Sequence, residues 1–376
     1  MLSVDNENVR SVDMNITEII NQSKLDGIII TDGYNIHFLT GYKGHTGCLL
    51  VVDNQWYIFT DSRYTEQATI EAPQCKCIDI GMNGYSKSIS AVFSTLFVNC
   101  GKTDINIGFE NKHISYEQYK AFENEFKKNF EDRIKLVEIG DKINRLRQVK
   151  NQDEICKIAR AEKIGDDTFT HIIDFIKPGM TEKEIATEIE YTMKQYGADG
   201  ISFDTIVASG PNSSLPHAVP TDRQITDGDF ITMDFGCIFE GYCSDMTRTV
   251  LLGNSPSAKQ KEIYSIVLEA QRSAISKIKP GMKCSDIDAC ARNIIEKAGY
   301  GQFFGHGLGH GVGLFIHEEP RFSRSCDTII EPGMIITVEP GIYLPGEFGV
   351  RIEDLVEVTE DGCNNLTHSP KELLTI

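Results

Sequence analysis

A chain of 376 residues with 40% hydrophobic content has the length for two or three domains with real cores, and no run of about 18 apolar residues predicts a membrane span. Its 55 acidic residues outnumber 37 basic ones, and the net charge of −18 argues against nucleic acid or an anionic membrane as the main partner. Residues 1–8 lack the basic start and apolar run of a signal peptide, and the 11 scattered cysteines form no Cys-x-x-Cys pair, so a soluble cytoplasmic protein with reduced thiols is expected.

Residues 26–60 alternate short apolar runs with turn signals, which predicts strands at 27–30, 48–52 and 56–59. The Gly-containing segment after the first of these, carrying Tyr34, His37, Phe38, Tyr42 and His45, reads as a loop of the kind that carries recognition. Residues 61–72 read as a helix and 105–109 as a strand, which together make a small α/β domain. The pattern changes at 139–141, and from 143 to 175 apolar and charged residues recur at helical spacing. The predicted domains are therefore 1–140 and 141–376. The short basic cluster from Arg145 to Lys150 reads as a solvated helix face.

The second domain contains an internal repeat. Ile-Lys-Pro-Gly-Met at 176–180 recurs at 278–282, an offset of 278 − 176 = 102, and each copy leads into a helical stretch ending at Gly197 or Gly299. Next come two apolar strands that end on carboxylates, Asp234 and Glu339, at an offset of 339 − 234 = 105. Two copies of one unit imply a pseudo-two-fold domain in which the matching carboxylates meet near the axis.

The chemistry lies in five potential metal ligands, each in a short distinctive context: Asp234, Asp245, His310, Glu339 and Glu353. Asp234 and Asp245 lie on two runs joined through Gly236 and Gly241, read as an antiparallel hairpin; Glu339 and Glu353 are joined by a turn at 345–349. Four carboxylates and one imidazole form a hard set that suits two adjacent divalent ions better than one structural zinc, and such pairs perform hydrolysis. Cys237 and Cys243, which flank the acids, read as strand residues. Arg351 lies two residues before Glu353, on the same face of a strand, and would hold a ligand carboxylate in place. His306 and His317 flank His310, and His217 lies in a Pro-His-Ala-Val-Pro run; these are candidate proton or hydrogen-bond donors to a developing oxyanion. No dinucleotide-binding glycine fingerprint, Walker lysine motif, H-E-x-x-H or G-x-S-x-G occurs.

At these residues the chain resembles the prolidase/creatinase/methionine aminopeptidase metallopeptidases, the pita-bread enzymes, and among them bacterial Xaa-Pro dipeptidases and aminopeptidases. Segments 212–223, 305–318 and 338–343 carry the likeness, which covers nearly the whole chain. The resemblance implies an α/β (α+β) fold, with a creatinase-like N-terminal domain before a pseudo-two-fold pita-bread catalytic domain. It implies that the five ligands bind two divalent ions, with Asp245 and Glu353 bridging. Mn fits this ligand set, with Co, Fe or Zn as alternatives. Glu339 would shuttle protons, His217 and His317 would stabilise the tetrahedral intermediate, and His306, Tyr343 and Arg351 fall at further active-site positions. The implied substrate is a peptide or dipeptide with proline second, and the implied assembly is a homodimer in which the N-terminal domain borders the partner's active site. Dipeptidase and aminopeptidase activity both fit. The alternatives are a non-catalytic peptide-binding or regulatory protein, which the intact ligand set disfavours, and another hydrolase or lyase on the same fold.

Overall fold

A computed structural model describes residues 16–97 and 101–376. The chain forms two units, the first ending at Arg147 and the second spanning Gln148–Ile376.

The first unit is built on a mixed sheet in the order β4-β3-β2-β1-β5-β6. Its strands are β1 (Gly27–Ile30), β2 (Cys48–Val52), β3 (Gln55–Thr60), β4 (Lys76–Asp79), β5 (Ile105–Phe109) and β6 (Ile134–Glu138). These strands are apolar at successive positions because both faces are covered. Ile28 and Ile30 pack with Leu49, Val51 and Ile58 beneath α1 (Gly33–Thr40) and α2 (Thr65–Glu71). Ile29, Leu50, Val52 and Phe59 pack on the other side with Phe93 of α3 (Gly84–Phe97) and Phe122 of α4 (Tyr116–Phe130).

Three local readings of the sequence are corrected here. The segment expected to be a loop is helix α1: Asp32 accepts from the Tyr34 N–H at 2.9 Å, and Gly41, at φ +82°, closes the last turn. Tyr42 is buried in its own unit, its hydroxyl donating to the Thr46 carbonyl at 2.9 Å. The helical pattern from 143 to 175 is two helices. The short α5 (Lys142–Leu146) places Ile143 in the first unit's core, so the units divide at Arg147, past the change of pattern at 139–141. Val149 then bridges Met334, and Asn151 starts α6 (Gln152–Phe175) with a capping box to Glu154. The basic cluster is no solvated face. Arg147 and Lys150 are both buried, and Lys150 Nζ meets Glu318 Oε2 at 3.1 Å.

The second unit repeats itself bond for bond. Gly179 and Gly281, both at φ +87°, donate to the Ile225 and Ile330 carbonyls at 2.9 Å in each case. Ile225 and Ile330 return bonds to the Met180 and Met282 carbonyls at 2.8 and 2.9 Å. In the first half α6 and α7 (Glu182–Gln195) cover β8 (Ile206–Ser209), β9 (Phe230–Phe235) and β12 (Met246–Leu251), with the small strands β7 (Gly200–Ile201), β10 (Cys237–Phe239) and β11 (Tyr242–Cys243) at one end. Cys237 and Cys243 are strand residues, as expected. In the second half α8 (Ala258–Ile275) and α9 (Cys284–Lys297) cover β13 (Gly309–Gly311), β14 (Glu318–Phe322), β15 (Ile335–Val338), β18 (Asp354–Val358) and β19 (Cys363–Asn365), with the hairpin β16 (Gly341–Leu344)–β17 (Phe348–Arg351) inserted.

Arg248 of β12 ties the halves together from the buried side. Its guanidinium donates to Asp354 Oδ1 at 2.7 Å, the Ser369 carbonyl at 2.8 Å and the Thr247 carbonyl at 2.9 Å, and also to the Glu353 carbonyl. Arg248→Ala leaves buried Asp354 Oδ1 without its cation, with Lys371 and Asn365 held only by Oδ2, and removing one partner of a buried pair costs about 3–5 kcal/mol. Urea unfolding of the variant should show a loss of that size in the second unit's transition. A loss under about 1 kcal/mol, the ordinary scale of a surface pair, would contradict this account.

Candidate metal centre

Each half of the second unit delivers two carboxylates by one device, a pair of antiparallel strands with a small hairpin inserted between them. β9 and β12 place Asp234 opposite Thr247 and Phe235 opposite Met246, and the β10–β11 hairpin returns the chain so that Asp245 emerges just before β12. The join is thus more elaborate than the plain hairpin expected. It requires Gly236, where a Cβ would lie 1.9 Å from the Ser244 carbonyl oxygen. β15 and β18 pair Val338 with Asp354, leaving Glu339 just after one strand and Glu353 just before the other. The halves meet where the Glu353 N–H donates to the Thr247 carbonyl at 3.1 Å. β13 brings in His310, and Gly309 lets it lie against β15, since a Cβ there would be 1.9 Å from the Thr337 carbonyl oxygen.

All ten residues singled out from the sequence line one cavity of about 770 Å³: Asp234, Asp245, His310, Glu339, Glu353, His217, His306, His317, Tyr343 and Arg351. Asp245, His310 and Glu353 each place a ligand atom within 4.8 Å of the others. His310 Nδ1 donates to the Gly311 carbonyl at 3.1 Å, because a carbonyl only accepts. Its bare Nε2 therefore faces Asp245 Oδ2 at 3.4 Å and Glu339 Oε1 at 3.6 Å. A lone pair aimed at two carboxylates is repulsive unless a proton or a metal ion lies among them. Asp234 Oδ1 is likewise buried with no hydrogen-bond partner, while Oδ2 accepts from Arg351 at 2.6 Å. Unpartnered acceptors converging on one space are what a divalent ion requires, so the donor set fits the metal.

A relay of donors holds the rest. Arg351 also donates to the Tyr343 hydroxyl at 2.9 Å, and Tyr343 meets His306 Nε2 at 2.9 Å. Because His306 Nδ1 donates to the Gly307 carbonyl at 2.8 Å, Nε2 accepts and Tyr343 is the donor. Burial drives His306 down to about 4 and His310 to about 3, so both are neutral at pH 7. Burial and then mutual repulsion hold Asp245 and Glu353 well above the ordinary carboxylate range. Burial pushes Glu339 to about 8, against the pull of Arg351. His217 and His317 stand on the exposed side of the cavity.

Four residues at the site were missed in the sequence. Thr247 donates to Glu353 Oε2 at 2.6 Å and accepts from Arg351 Nε at 3.1 Å, and Thr337 accepts from the His310 N–H at 3.0 Å. Each lies two residues from a ligand, on the same strand face, and that spacing was the available signal. Arg321 lines the cavity and forms no ion pair among the described residues. Buried Glu162 accepts from the Asp245 N–H at 3.2 Å across 83 positions, and no local pattern reveals it.

Residues 156–360 match the model of metallopeptidase family M24, and residues 14–149 match the creatinase/prolidase N-terminal domain. An uncharacterized peptidase of Bacillus subtilis is 41% identical, over 96% of this chain and 99% of its own. The solved Xaa-Pro dipeptidase from Bacillus anthracis is 39% identical, with a TM-score of 0.90 over 98% of this chain and 100% of that one. The X-Pro aminopeptidase from Thermotoga maritima is 37% identical, with a TM-score of 0.87 over 97% and 99%. The chain belongs to metallopeptidase family M24, with the N-terminal domain of creatinases and prolidases.

The raised carboxyl groups make stability depend on pH. Such a group keeps in the fold a proton that the unfolded chain releases, so its contribution is complete below the unfolded value and is lost as pH rises towards the folded one. For Glu339 the window runs from 4.5 to about 8. Metal binding needs the ligands deprotonated and grows stronger over the same range. Thermal unfolding with chelator and with Mn at a series of pH values should show a metal-induced rise in Tm that increases from about pH 4.5 to 8. A rise that is independent of pH would contradict the electrostatic account.

Proposed function

We propose that the chain is a dinuclear-metal exopeptidase that hydrolyses the Xaa-Pro bond. The observation that carries this reading is the convergence of Asp234 Oδ1, His310 Nε2 and the Asp245, Glu339 and Glu353 carboxylates on one cavity, with acceptors facing acceptors. These five residues would hold two ions, with Asp245 and Glu353 shared between them. When bound, such ions act as Lewis acids towards water and a scissile carbonyl. Manganese suits the oxygen-rich set, and Co, Fe or Zn are alternatives.

The chain's own groups then have separate tasks. Glu339, which lines the cavity beside His310 Nε2, accepts the proton of the attacking water and delivers it to the leaving nitrogen. That proton matters for a prolyl leaving group, whose amide nitrogen carries no hydrogen of its own. His217 and His317 donate to the developing oxyanion from the open side. The Arg351–Tyr343–His306 relay fixes the orientation of Asp234.

The solved relatives are named as both dipeptidase and aminopeptidase. Arg321 favours the dipeptide. Arg351 is committed to Asp234, whereas the Arg321 guanidinium faces the cavity without a carboxylate among the described residues, ready for the free carboxylate of a C-terminal proline. The deciding experiment is hydrolysis of a dipeptide and a longer peptide, each with proline second, after Mn loading. The dipeptide should be cleaved faster, chelation should abolish turnover, and Mn or Co should restore it. No cleavage of either peptide would refute the reading, and faster cleavage of the longer one would make the protein an aminopeptidase.

Asp245→Ala and Glu353→Ala should lose bound metal together with turnover. His317→Ala should keep its metal and lose rate by about 10²–10³, the usual effect of removing one donor to a transition state. Metal analysis of the purified variants separates the two classes, and a metal-free His317→Ala would overturn the division of roles.

A further inference from the structure

The cavity wall that carries His217 is a long loop with little packing of its own; His217 and Val219 are exposed, and the loop contributes no strand or helix between the end of the short 3₁₀ turn Gly210–Ser214 and β9. Residues on both sides of His217, Ser209 and Asn212 before it and Thr221 after it, converge on one buried carboxylate outside the metal centre. Glu182 has no exposed surface. Its Oε1 accepts from the Ser209 N–H and Oγ, at 2.7 Å each. Its Oε2 accepts from the Thr221 N–H at 3.0 Å and Oγ1 at 2.6 Å. Asn212 Nδ2 lies 3.1 Å from both oxygens. No lysine or arginine forms an ion pair with it among the described residues; five neutral donors hold its two oxygens, at the first residue of α7.

We propose that Glu182 is a positioning residue that clamps residues 209–221 at both ends and thereby fixes His217 over the cavity. It acts through the loop, since it does not line the cavity itself. The inference rests on the proposed function for the role of His217. The chemistry requires a carboxylate, because only a group with two acceptor oxygens satisfies both ends of the loop at once. A glutamine presents an acceptor to one end and an amide N–H₂ to the donors of the other, leaving those donors buried and unpaired.

The test uses the full-length Mn-loaded protein and compares Glu182→Gln, His217→Ala and the double variant. Glu182→Gln should keep its metal, since all five candidate ligands lie elsewhere, and lose kcat by about 10- to 100-fold, the scale of a catalytic group displaced by about 1 Å. In the His217→Ala background it should cause no further loss, because a residue that acts through another is non-additive with it. Amide hydrogen exchange at Ser209 and Thr221 should be faster in Glu182→Gln than in the parent, and this readout does not depend on activity. Full activity in Glu182→Gln, a multiplicative loss in the double variant, loss of metal or unchanged exchange would each overturn the proposal. A parent protein inactive on both proline peptides would refute the proposed function instead, and the exchange experiment would still decide whether Glu182 clamps the loop.

Discussion

Everything in the second unit answers to one electrostatic constraint: four carboxylates must be held within a few ångströms of one another away from water. Burial first, and then their repulsion at that separation, appears as the raised proton affinity of Asp245, Glu339 and Glu353. A single chain segment cannot supply so many like charges at one point. The repeat solves the geometry, since each half brings two acids to the end of a strand pair and the Thr247–Glu353 bridge joins the ends. The cations are divided by position. Arg351 faces the cavity and neutralises Asp234, while Arg248 lies behind and holds the backbone at Glu353. The remaining negative charge is left for the metal.

The arrangement separates what binds from what reacts. The five candidate ligands sit on strand ends or immediately beside them, where backbone pairing limits their movement. The remaining histidines of the cavity sit beside those five residues. His306 is held by a tyrosine and a carbonyl, and His217 and His317 stand on the exposed side where a substrate carbonyl has room to enter. Burial, with Arg351 beside His306 and His317 beside His310, keeps both rings uncharged, which suits one to accept from Tyr343 and the other to present a lone pair.

What was legible in the sequence was periodic or repeated. The strands β1, β2 and β5 and the doubled Ile-Lys-Pro-Gly-Met unit could be read because apolar runs, turn residues and a fixed offset are local signals. The ten cavity residues could be named because each lies in a distinctive run. The failures came where one residue carried the decision. Asp32 and Gly41 turn an aromatic-rich segment into a helix by capping it, and Asn151 divides a continuous helical pattern in two. Lys150 looked solvated because its partner Glu318 lies 168 positions away. Long-range polar pairs leave no periodic trace, so neither this pair nor the Glu162–Asp245 contact was readable.

Two kinds of residue share one motif. In the stretch at 212–223 the sequence presents Asn212, His217, Thr221 and Arg223 as a single distinctive run. The structure divides them. His217 faces the cavity, whereas Asn212 and Thr221 turn back to buried Glu182, and Arg223 pairs with Asp229 at 2.7 Å and donates to the Ser209 hydroxyl. Most of the motif therefore specifies the shape of a loop and one member specifies its chemistry. The carboxylate that makes the shape necessary lies 30 residues upstream of Asn212, in a helix start that reads as ordinary capping. A loop with little packing of its own holds a side chain over a cavity to close tolerance only if something buried and rigid anchors it on both sides, and a carboxylate on the first turn of a packed helix provides that anchor.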